Sequence, residues 1–547
     1  MASSKKERLI IYQTLVRLFG NTNKTRKKNG TIEENGCGKM SDFTFSALHS
    51  IQNLGCNAIW FTGLLQQASQ TDYSQYGIPR QNKHVLKGVA GSPYAISDYY
   101  SVSCDLADDP AKRMEEFDAL VERTHNCGMK VIIDFVPNHV ARGYKSVTAP
   151  KGVEDFGKND DKSQHFSPNN NFYYCVGQDF QPNFDLGVGE ERYTETPAKA
   201  TVNDCFNAYP SVNDWYETVK LNYGVDYCGG GRHCFDPIPD TWHKMLDILM
   251  YWSAKGVDGF RCDMVFMVPV DFWHWAIAQV KKKYPHIFFI AEIYDPALYR
   301  SFINYGGFDY LYDKVGLYDT LRAIVEGRES ATAITPRWQE LNDIHDKMVN
   351  FLENHDEQRI ASEFFAGDPV KARPALVVSA LMRCNPFMCY FGQELGEKGM
   401  DEEGFSGRDG RTTIFDYWCV NQIVRWRGTD GRWRYQKNMK KKATELREYY
   451  NKILNLANQE KAFREGEFYD LQYCNLQNEE YNPHRTFAFI RHIGKRVFLV
   501  VVNFDGEQKE ITVNIPREAR EYIGISDKYE EPLKCVVAGY DAAIIKL

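Results

Sequence analysis

The sequence predicts a (β/α)8 barrel followed by an antiparallel β-sandwich. Three observations lead to this fold class: eight short apolar runs recur, amphipathic helical patterns follow most of them, and strand-like alternation takes over near residue 460. Continuous apolar strands that alternate with amphipathic helices are typical of parallel strands buried on both faces. Eight such units favour a closed barrel over an open sheet.

The strand-like runs are Arg8–Thr14, Asn57–Thr62, Lys130–Val136, Val257–Cys262, Ile287–Ile293, Tyr310–Lys314, Met348–Leu352 and Phe387–Phe391. The clearest helical patterns are Asp42–Leu54, Ala111–Cys127, Thr241–Lys255, Asp271–Lys283 and Pro369–Cys384. We therefore expect the barrel in two parts, residues 1–140 and 240–459.

A polar stretch rich in Gly, Asn and Asp separates these parts, from about Ala141 to Pro239. It is too long for a loop within a compact unit, so we expect an excursion domain over residues 141–239. A second Gly- and charge-rich loop runs from Gly392 to Arg411.

The β-sandwich is expected over residues 460–547. Its strand-like runs are Thr486–Arg491, Arg496–Asn503, Glu510–Ile515 and Ala542–Leu547. Turn signals such as Asp505-Gly506 separate them, as in antiparallel sheets.

Composition narrows the class of partner. The net charge of −7 argues against nucleic acid or an anionic membrane surface as a binding partner. The sequence contains no run of eighteen apolar residues, so no membrane span is predicted. Residues Met1–Gly20 lack the features of a secretory signal, so we expect a cytoplasmic protein, or a periplasmic or extracellular one if a signal preceded residue 1.

The 14 cysteines are scattered along the sequence, and we expect them to be free thiols. This includes Cys228 and Cys234, the one pair whose spacing resembles that of a disulfide or metal pair.

Carboxylates stand at three predicted strand ends, where (β/α)8 barrels carry their functional residues. The fourth strand ends in Arg261-Cys262-Asp263, the fifth in Glu292, and the seventh leads to Asp356. Like charges in one cleft raise each other's pKa, whereas Arg261 lowers that of its neighbour. Such an arrangement is what nucleophilic and acid/base carboxylate chemistry requires.

Two other interpretations apply to the polar residues near the strand ends: a structural role and a metal site. Asp134 and Asp258 fit caps of strand–loop junctions or partners of Arg261. A divalent metal site is also built from Asp, Glu and His at strand ends. It needs two or more histidines at ligand distance, and Arg261 argues against it because a fixed cation competes with the metal.

The strand ends resemble the signature regions of the α-amylase family of glycoside hydrolases (family 13). The matching stretches are Val131–His139, Gly259–Asp263, Ala291–Glu292 and Phe351–Asp356. Softer matches are Ala58–Thr62, Tyr94 with Asp98–Tyr100, Gln181–Leu186 and Phe391–Gly396. The resemblance covers nearly the whole chain in order.

The resemblance implies a role for each matched residue. Asp263 matches the nucleophile, Glu292 the general acid/base, and Asp356 the third carboxylate, which holds ring hydroxyls and stabilises the transition state. Arg261 would keep Asp263 ionised. The residues that match sugar contacts in the cleavage subsite are Tyr94, His139 and His355. The implied reaction is double displacement with retention and no cofactor, with a raised pKa at Glu292 and a depressed pKa at Asp263.

The implied substrates are starch-like glucans or malto-oligosaccharides, cleaved mainly at α-1,4 bonds. An exo-acting α-glucosidase, a transglycosylase and a non-catalytic sugar-binding homologue are the alternatives. Many starch-acting members carry Lys-His just after the nucleophile, whereas this chain has the apolar stretch Met264–Met267. The leaving-group side is therefore expected to be drier.

A structural calcium is the one metal that the resemblance implies, because Asn138 matches a calcium ligand of many members. Asp185 and Asp204 are candidate partners, although no Asp-rich loop has clear ligand spacing. The loop of residues 35–39 contains Lys39 and no carboxylate, which argues against a second site there.

Overall fold

A computed structural model describes residues 8–399, 407–428, 431, 433, 439–525 and 529–547. Eight parallel strands close into a barrel in which each strand pairs with its neighbours in the sequence. The strands are β1 (Ile10–Leu15), β2 (Ala58–Thr62), β3 (Lys130–Phe135), β4 (Gly259–Cys262), β5 (Phe288–Ala291), β6 (Tyr310–Tyr312), β7 (Met348–Phe351) and β8 (Phe387–Tyr390). The predicted (β/α)8 fold is confirmed.

Helices pack around the barrel and return the chain to the start of the next strand. The principal ones are Phe45–Asn53, Arg113–Asn126, Asp240–Ala254, Val270–Lys283, Tyr299–Asn304, Asp319–Val325, Ile334–Glu340, Arg373–Leu381, Asn421–Arg427 and Lys441–Gln459. The first begins later than predicted because the hydroxyl of Thr44 accepts a hydrogen bond from the Ala47 N–H and caps it. The predicted helix from Pro369 opens with a 3-10 turn, Pro369–Ala372.

An inserted segment, residues 136–239, leaves the barrel between β3 and the helix Asp240–Ala254. It contains three antiparallel pairs of short strands: His139–Ala141 with Thr218–Lys220, Tyr174–Cys175 with Ala198–Lys199, and Val225–Asp226 with Arg232–His233. The first pair continues directly from β3 and so anchors the segment at the barrel mouth. The exact boundaries predicted for the four domain parts stay predictions.

The C-terminal part consists of two antiparallel sheets, as predicted for a sandwich. One contains Glu467–Asp470, Thr486–Ile493, Arg496–Asn503 and Asp541–Lys546, and the other contains Lys509–Val513 and Leu533–Val537. Apolar side chains from both sheets, such as Ile490, Leu499 and Ile511, form a separate core. Glu467–Asp470 and Leu533–Val537 were not predicted, since neither shows clear alternation.

Part of the predicted loop Gly392–Arg411 lies outside the described residues, namely 400–406. All 14 cysteines lie in the described ranges and are free thiols. In those same ranges, every helix is too short or too polar to cross a membrane.

Candidate active site

A pocket of about 550 Å³ opens at the C-terminal ends of the barrel strands. Six residues singled out in the sequence line it: Tyr94, His139, Asp263, Glu292, His355 and Asp356. They meet because neighbouring parallel strands end at one rim of the barrel. A second cavity, of about 520 Å³, is lined by Arg8 and Tyr522 near the opposite end and contains none of the six.

Arg261 lies fully buried among the carboxylates. Its Nη1 donates a hydrogen bond to Oδ1 of Asp263 at 2.7 Å. Its Nη2 lies 2.8 Å from Oε1 of Glu292, an ion pair without hydrogen-bond geometry. Because a guanidinium keeps its charge when buried, Arg261 compensates two carboxylates that would otherwise repel each other.

Two further donors hold the carboxylate of Glu292. The backbone N–H of Met264 donates to Oε2 at 2.9 Å, and the hydroxyl of Tyr294 donates to Oε1 at 2.6 Å. Met264 has a φ of 43°, in the left-handed region that non-glycine residues rarely adopt. Such strain is typical of functional sites. Tyr294 was not predicted, although its position two residues after Glu292 is a signal that could have found it.

Burial raises the pKa of Glu292, while Arg261 lowers it and Asp263 raises it again. The raised pKa expected for an acid/base is therefore present. The depressed pKa expected at Asp263 is wrong: burial raises the pKa of Asp263 more than the Arg261 guanidinium lowers it. The sequence pattern identifies Arg261, but it does not reveal how deeply the carboxylate lies.

His355 connects the barrel interior to Asp356. Its Nδ1 lies 2.8 Å from Nε2 of Gln13, so that nitrogen accepts and the proton resides on Nε2. Nε2 faces the hydroxyl of Tyr94 at 2.5 Å and Oδ2 of Asp356 at 3.2 Å. Burial lowers the pKa of His355 to about 3, which keeps the ring neutral. Asp356 is the most exposed of the three carboxylates, with 44% of its side chain accessible to a ligand.

His139 is also neutral, because burial, with a smaller effect of the Lys220 charge, lowers its pKa to about 3. Among the described residues, no group hydrogen-bonds to its buried Nδ1. Buried polar groups are normally satisfied, so this nitrogen lacks a partner that the described residues do not supply.

Asp134 and Asp258 have the structural roles considered for them. Asp134 accepts a hydrogen bond from the Gly63 N–H at 3.1 Å and lies 3.8 Å from Nη1 of Arg261. Asp258 accepts from the Val131 N–H at 2.7 Å, at the opposite end of the strands.

Several residues of the pocket lining were not predicted. They are Lys87, Trp215, Glu217, Lys314 and Phe415. Lys314 lies just after β6, at the end of the predicted run Tyr310–Lys314. The others lie on loops or on the inserted segment, where no periodic pattern marks a residue as part of the barrel mouth.

Asn138 does not fit a calcium site. Its Oδ1 accepts a hydrogen bond from Nζ of Lys220 at 3.0 Å, and the same ammonium pairs with Oδ1 of Asp204 at 2.8 Å. The carboxylate of Asp185 accepts a hydrogen bond from the Gly187 N–H. In the described part of the chain, no three His, Cys, Asp or Glu side chains converge where a metal could bind.

Comparison with known families gives one match over most of the chain. The family model described as "Alpha amylase, catalytic domain" matches residues 17–196 and 236–466. The residues between these ranges, 197–235, belong to the inserted segment. The match therefore covers β2 to β8 and the part of the inserted segment up to residue 196.

Individual relatives are distant. Alpha-amylase 2 of Dictyoglomus thermophilum is 22% identical over 71% of this chain and 55% of its own length. Alpha-amylase MalA of Haloarcula japonica is 25% identical over 72% and 45%. The chain thus spans about half the length of these relatives. Alpha-amylase 3 of D. thermophilum is 20% identical over 98% of this chain and 93% of its own.

Solved structures share the fold over nearly the whole chain. A cyclic α-maltosyl-(1→6)-maltose hydrolase from Arthrobacter globiformis has a TM-score of 0.63 at 18% identity, covering 99% of this chain and 98% of its own. A maltogenic α-amylase, AmyB of Thermotoga neapolitana, has a TM-score of 0.58 at 19% identity, with 98% and 96% covered.

Proposed function

The chain belongs to the α-amylase family of glycoside hydrolases, and from that premise we propose that it cleaves α-glucosidic bonds, mainly α-1,4, with retention of configuration. The substrates are malto-oligosaccharides or starch-like glucans. Asp263 is the nucleophile, Glu292 the acid/base and Asp356 the carboxylate that binds ring hydroxyls.

The close approach of Asp263 and Glu292 carries this proposal. Both contact the guanidinium of Arg261, Asp263 at 2.7 Å and Glu292 at 2.8 Å. Retaining glycosidases keep their two carboxyl groups near each other, because one of them attacks the sugar directly. Inverting enzymes need a wider gap for a water molecule, and a shared guanidinium leaves little room for it.

The reaction proceeds in two displacements. Asp263 attacks the anomeric carbon while Glu292 gives its proton to the departing glycosidic oxygen, which leaves a glycosyl ester on Asp263. Glu292, now ionised, takes a proton from water, the hydroxide oxygen bonds to the anomeric carbon, and the ester breaks. The raised pKa of Glu292 favours the protonated form that the first step uses.

The neutral side chains around the nucleophile position the sugar ring. Tyr94 offers an aromatic face, and the neutral rings of His139 and His355 line the pocket beside it. On the leaving-group side, Met264 lines the pocket beside Tyr294.

Product analysis tests the function. On maltose through maltoheptaose, pullulan and isomaltose, we expect cleavage of the α-1,4 substrates with α-anomeric products at early times, followed by NMR. Initial β-anomers would exclude double displacement. No cleavage of any substrate would favour a non-catalytic sugar-binding protein.

A further inference from the structure

The two sides of the pocket can be told apart from the strand order. Glu292 and Lys314 follow β5 and β6, whereas Lys87 and Phe415 follow β2 and β8, which flank β1 across the barrel mouth. Glu292 donates its proton to the leaving group, so the leaving sugar lies on the β5–β6 side. The non-reducing part of the substrate therefore extends toward Lys87 and Phe415.

Three segments line that side, and we call them the terminal wall: residues 86–92, 215–218 and 414–415. The Ala90 N–H donates to the carbonyl oxygen of Phe415 at 3.1 Å. The hydroxyl of Tyr216 donates to the carbonyl oxygen of Leu86, also at 3.1 Å. These bonds join a barrel loop, the inserted segment and the chain after β8 into one surface.

The terminal wall contains a buried ion pair that lines the pocket. Nζ of Lys87 lies 3.3 Å from Oε2 of Glu217, and only 11% and 5% of the two side chains are exposed. No described residue makes a well-directed hydrogen bond to this oxygen. Two adjacent sugar hydroxyls can bind this pair of groups. One hydroxyl accepts a hydrogen bond from the ammonium, and the other donates one to the unpaired carboxylate oxygen. Trp215, partly exposed in the same wall, offers a flat face to the ring.

We propose that Lys87, Glu217 and Trp215 bind the second glycosyl unit on the non-reducing side of the cleaved bond. This inference rests on the proposed glycosidase function. The hydrogen-bonded segments of the terminal wall stand on this side of the pocket, so the proposal makes this unit the last that the cleft accepts. The substrate class is then chain ends and short malto-oligosaccharides, attacked from the non-reducing end.

Two aryl glycosides separate this subsite from the catalytic centre. 4-Nitrophenyl α-glucoside fills only the cleavage subsite, whereas 4-nitrophenyl α-maltoside also fills the next one. In Glu217→Gln and Lys87→Met, we expect kcat/KM for the maltoside to fall about 10- to 100-fold and that for the glucoside to change less than about 3-fold. Lys314→Met, a pocket lysine on the leaving-group side, is the control and should leave the ratio of the two unchanged.

Equal losses on both glycosides, or none, would overturn the subsite. A maltoheptaoside blocked at its non-reducing end tests the closed wall, since wild-type protein should not cleave it; rapid cleavage would overturn the exo mode. Inactivity on every α-glucoside would instead reject the proposed function itself.

A second, independent observation concerns Lys220, which lies where the resemblance places a metal. The side chain is buried, and its ammonium contacts Asn138 and Asp204 and lies 5.2 Å from the ring of Tyr227. Lys220 also pairs with His139 across the first strand pair of the inserted segment. The ammonium thus binds oxygen atoms of Asn138, next to the end of β3, and of Asp204, in the insert. A structural metal cation links chain segments in the same way.

We infer that the ammonium of Lys220 is a built-in cation that positions Asn138 and His139, so this junction takes no divalent ion. Wild-type protein should keep its Tm within about 1 °C in EDTA or in calcium, because no bound metal is lost or gained. Lys220→Met should lower Tm by roughly 2 to 5 °C, since buried oxygens lose their partner. It should also lower kcat/KM on the maltoside at least about 10-fold through displaced His139.

Lys199→Met is the matched control, because Lys199 is another largely buried lysine of the insert whose ammonium pairs with Glu195. It should lower Tm without changing kcat/KM. A wild-type Tm that falls in EDTA and returns with calcium would overturn the inference. So would a Lys220→Met protein with native Tm and kinetics.

Discussion

Glu292→Gln is expected to slow turnover of maltotriose by about 10²- to 10⁴-fold, and Asp263→Asn by at least about 10⁴-fold. The amide at 292 has no proton to give to a sugar leaving group. The amide at 263 is a far poorer nucleophile than a carboxylate. Both amides preserve the size of the side chain, and steady-state kinetics with a melting curve for each variant measures the effect.

The two losses should differ in kind. With a 4-nitrophenyl leaving group, Glu292→Gln should form the glycosyl ester with little loss, because that group departs without a proton. Added azide should then restore turnover and yield an α-glycosyl azide, whereas Asp263→Asn should give no such product. Asp258→Asn, which removes a carboxylate from the far end of β4, is the control and should retain turnover. Near-normal activity of either catalytic variant would reject the assignment.

Arg261→Met is expected to have the second largest effect. The guanidinium contacts both Asp263 and Glu292, at 2.7 and 2.8 Å, and it lowers the pKa of each. Its loss leaves two buried carboxylates uncompensated, which destabilises the fold by about 3–5 kcal/mol. We expect kcat/KM to fall about 10³-fold or more, because Asp263 is less ionised and less well oriented.

The pH–rate profile of the same variant distinguishes catalysis from folding. Without the cation both carboxyl pKa values rise, so Asp263 ionises only at higher pH and Glu292 keeps its proton to higher pH. Both limbs of the profile should therefore move upward. Arg359→Met removes an equally buried guanidinium, paired with Glu353 at 2.8 Å outside the pocket lining. It should lower stability and leave the limbs in place; identical shifts in the two variants would contradict the role of Arg261.

The barrel and the three carboxylates could be predicted because they depend on local pattern. Asp263 and Glu292 directly follow buried strands, and Asp356 lies five residues after the end of β7, so the strand pattern places all three at the rim. Lys87 and Glu217 could not be predicted in this way. They are distant in sequence, and their pairing depends on how the inserted segment folds over the mouth.

The pKa shift of Asp263 was predicted less well than the positions of the site residues. Arg261 beside Asp263 argued for a depressed pKa, but the balance depends on burial, a property of the assembled pocket. The calcium expected at Asn138 shows the same limit. Lys220 comes close to that side chain only after the segment returns to pair with His139–Ala141.

The connection that carries the inserted segment has a consequence for how such a barrel can vary. Between Phe135 and Gly259 the chain is about five times longer than between Cys262 and Phe288. Because the entropy of closing a loop grows only with the logarithm of its length, the longer connection costs the barrel about 1.4 kcal/mol more. A substrate-contacting wall of this size can therefore be exchanged or remodelled at little thermodynamic expense, while the strand ends that hold Asp263 and Glu292 stay unchanged.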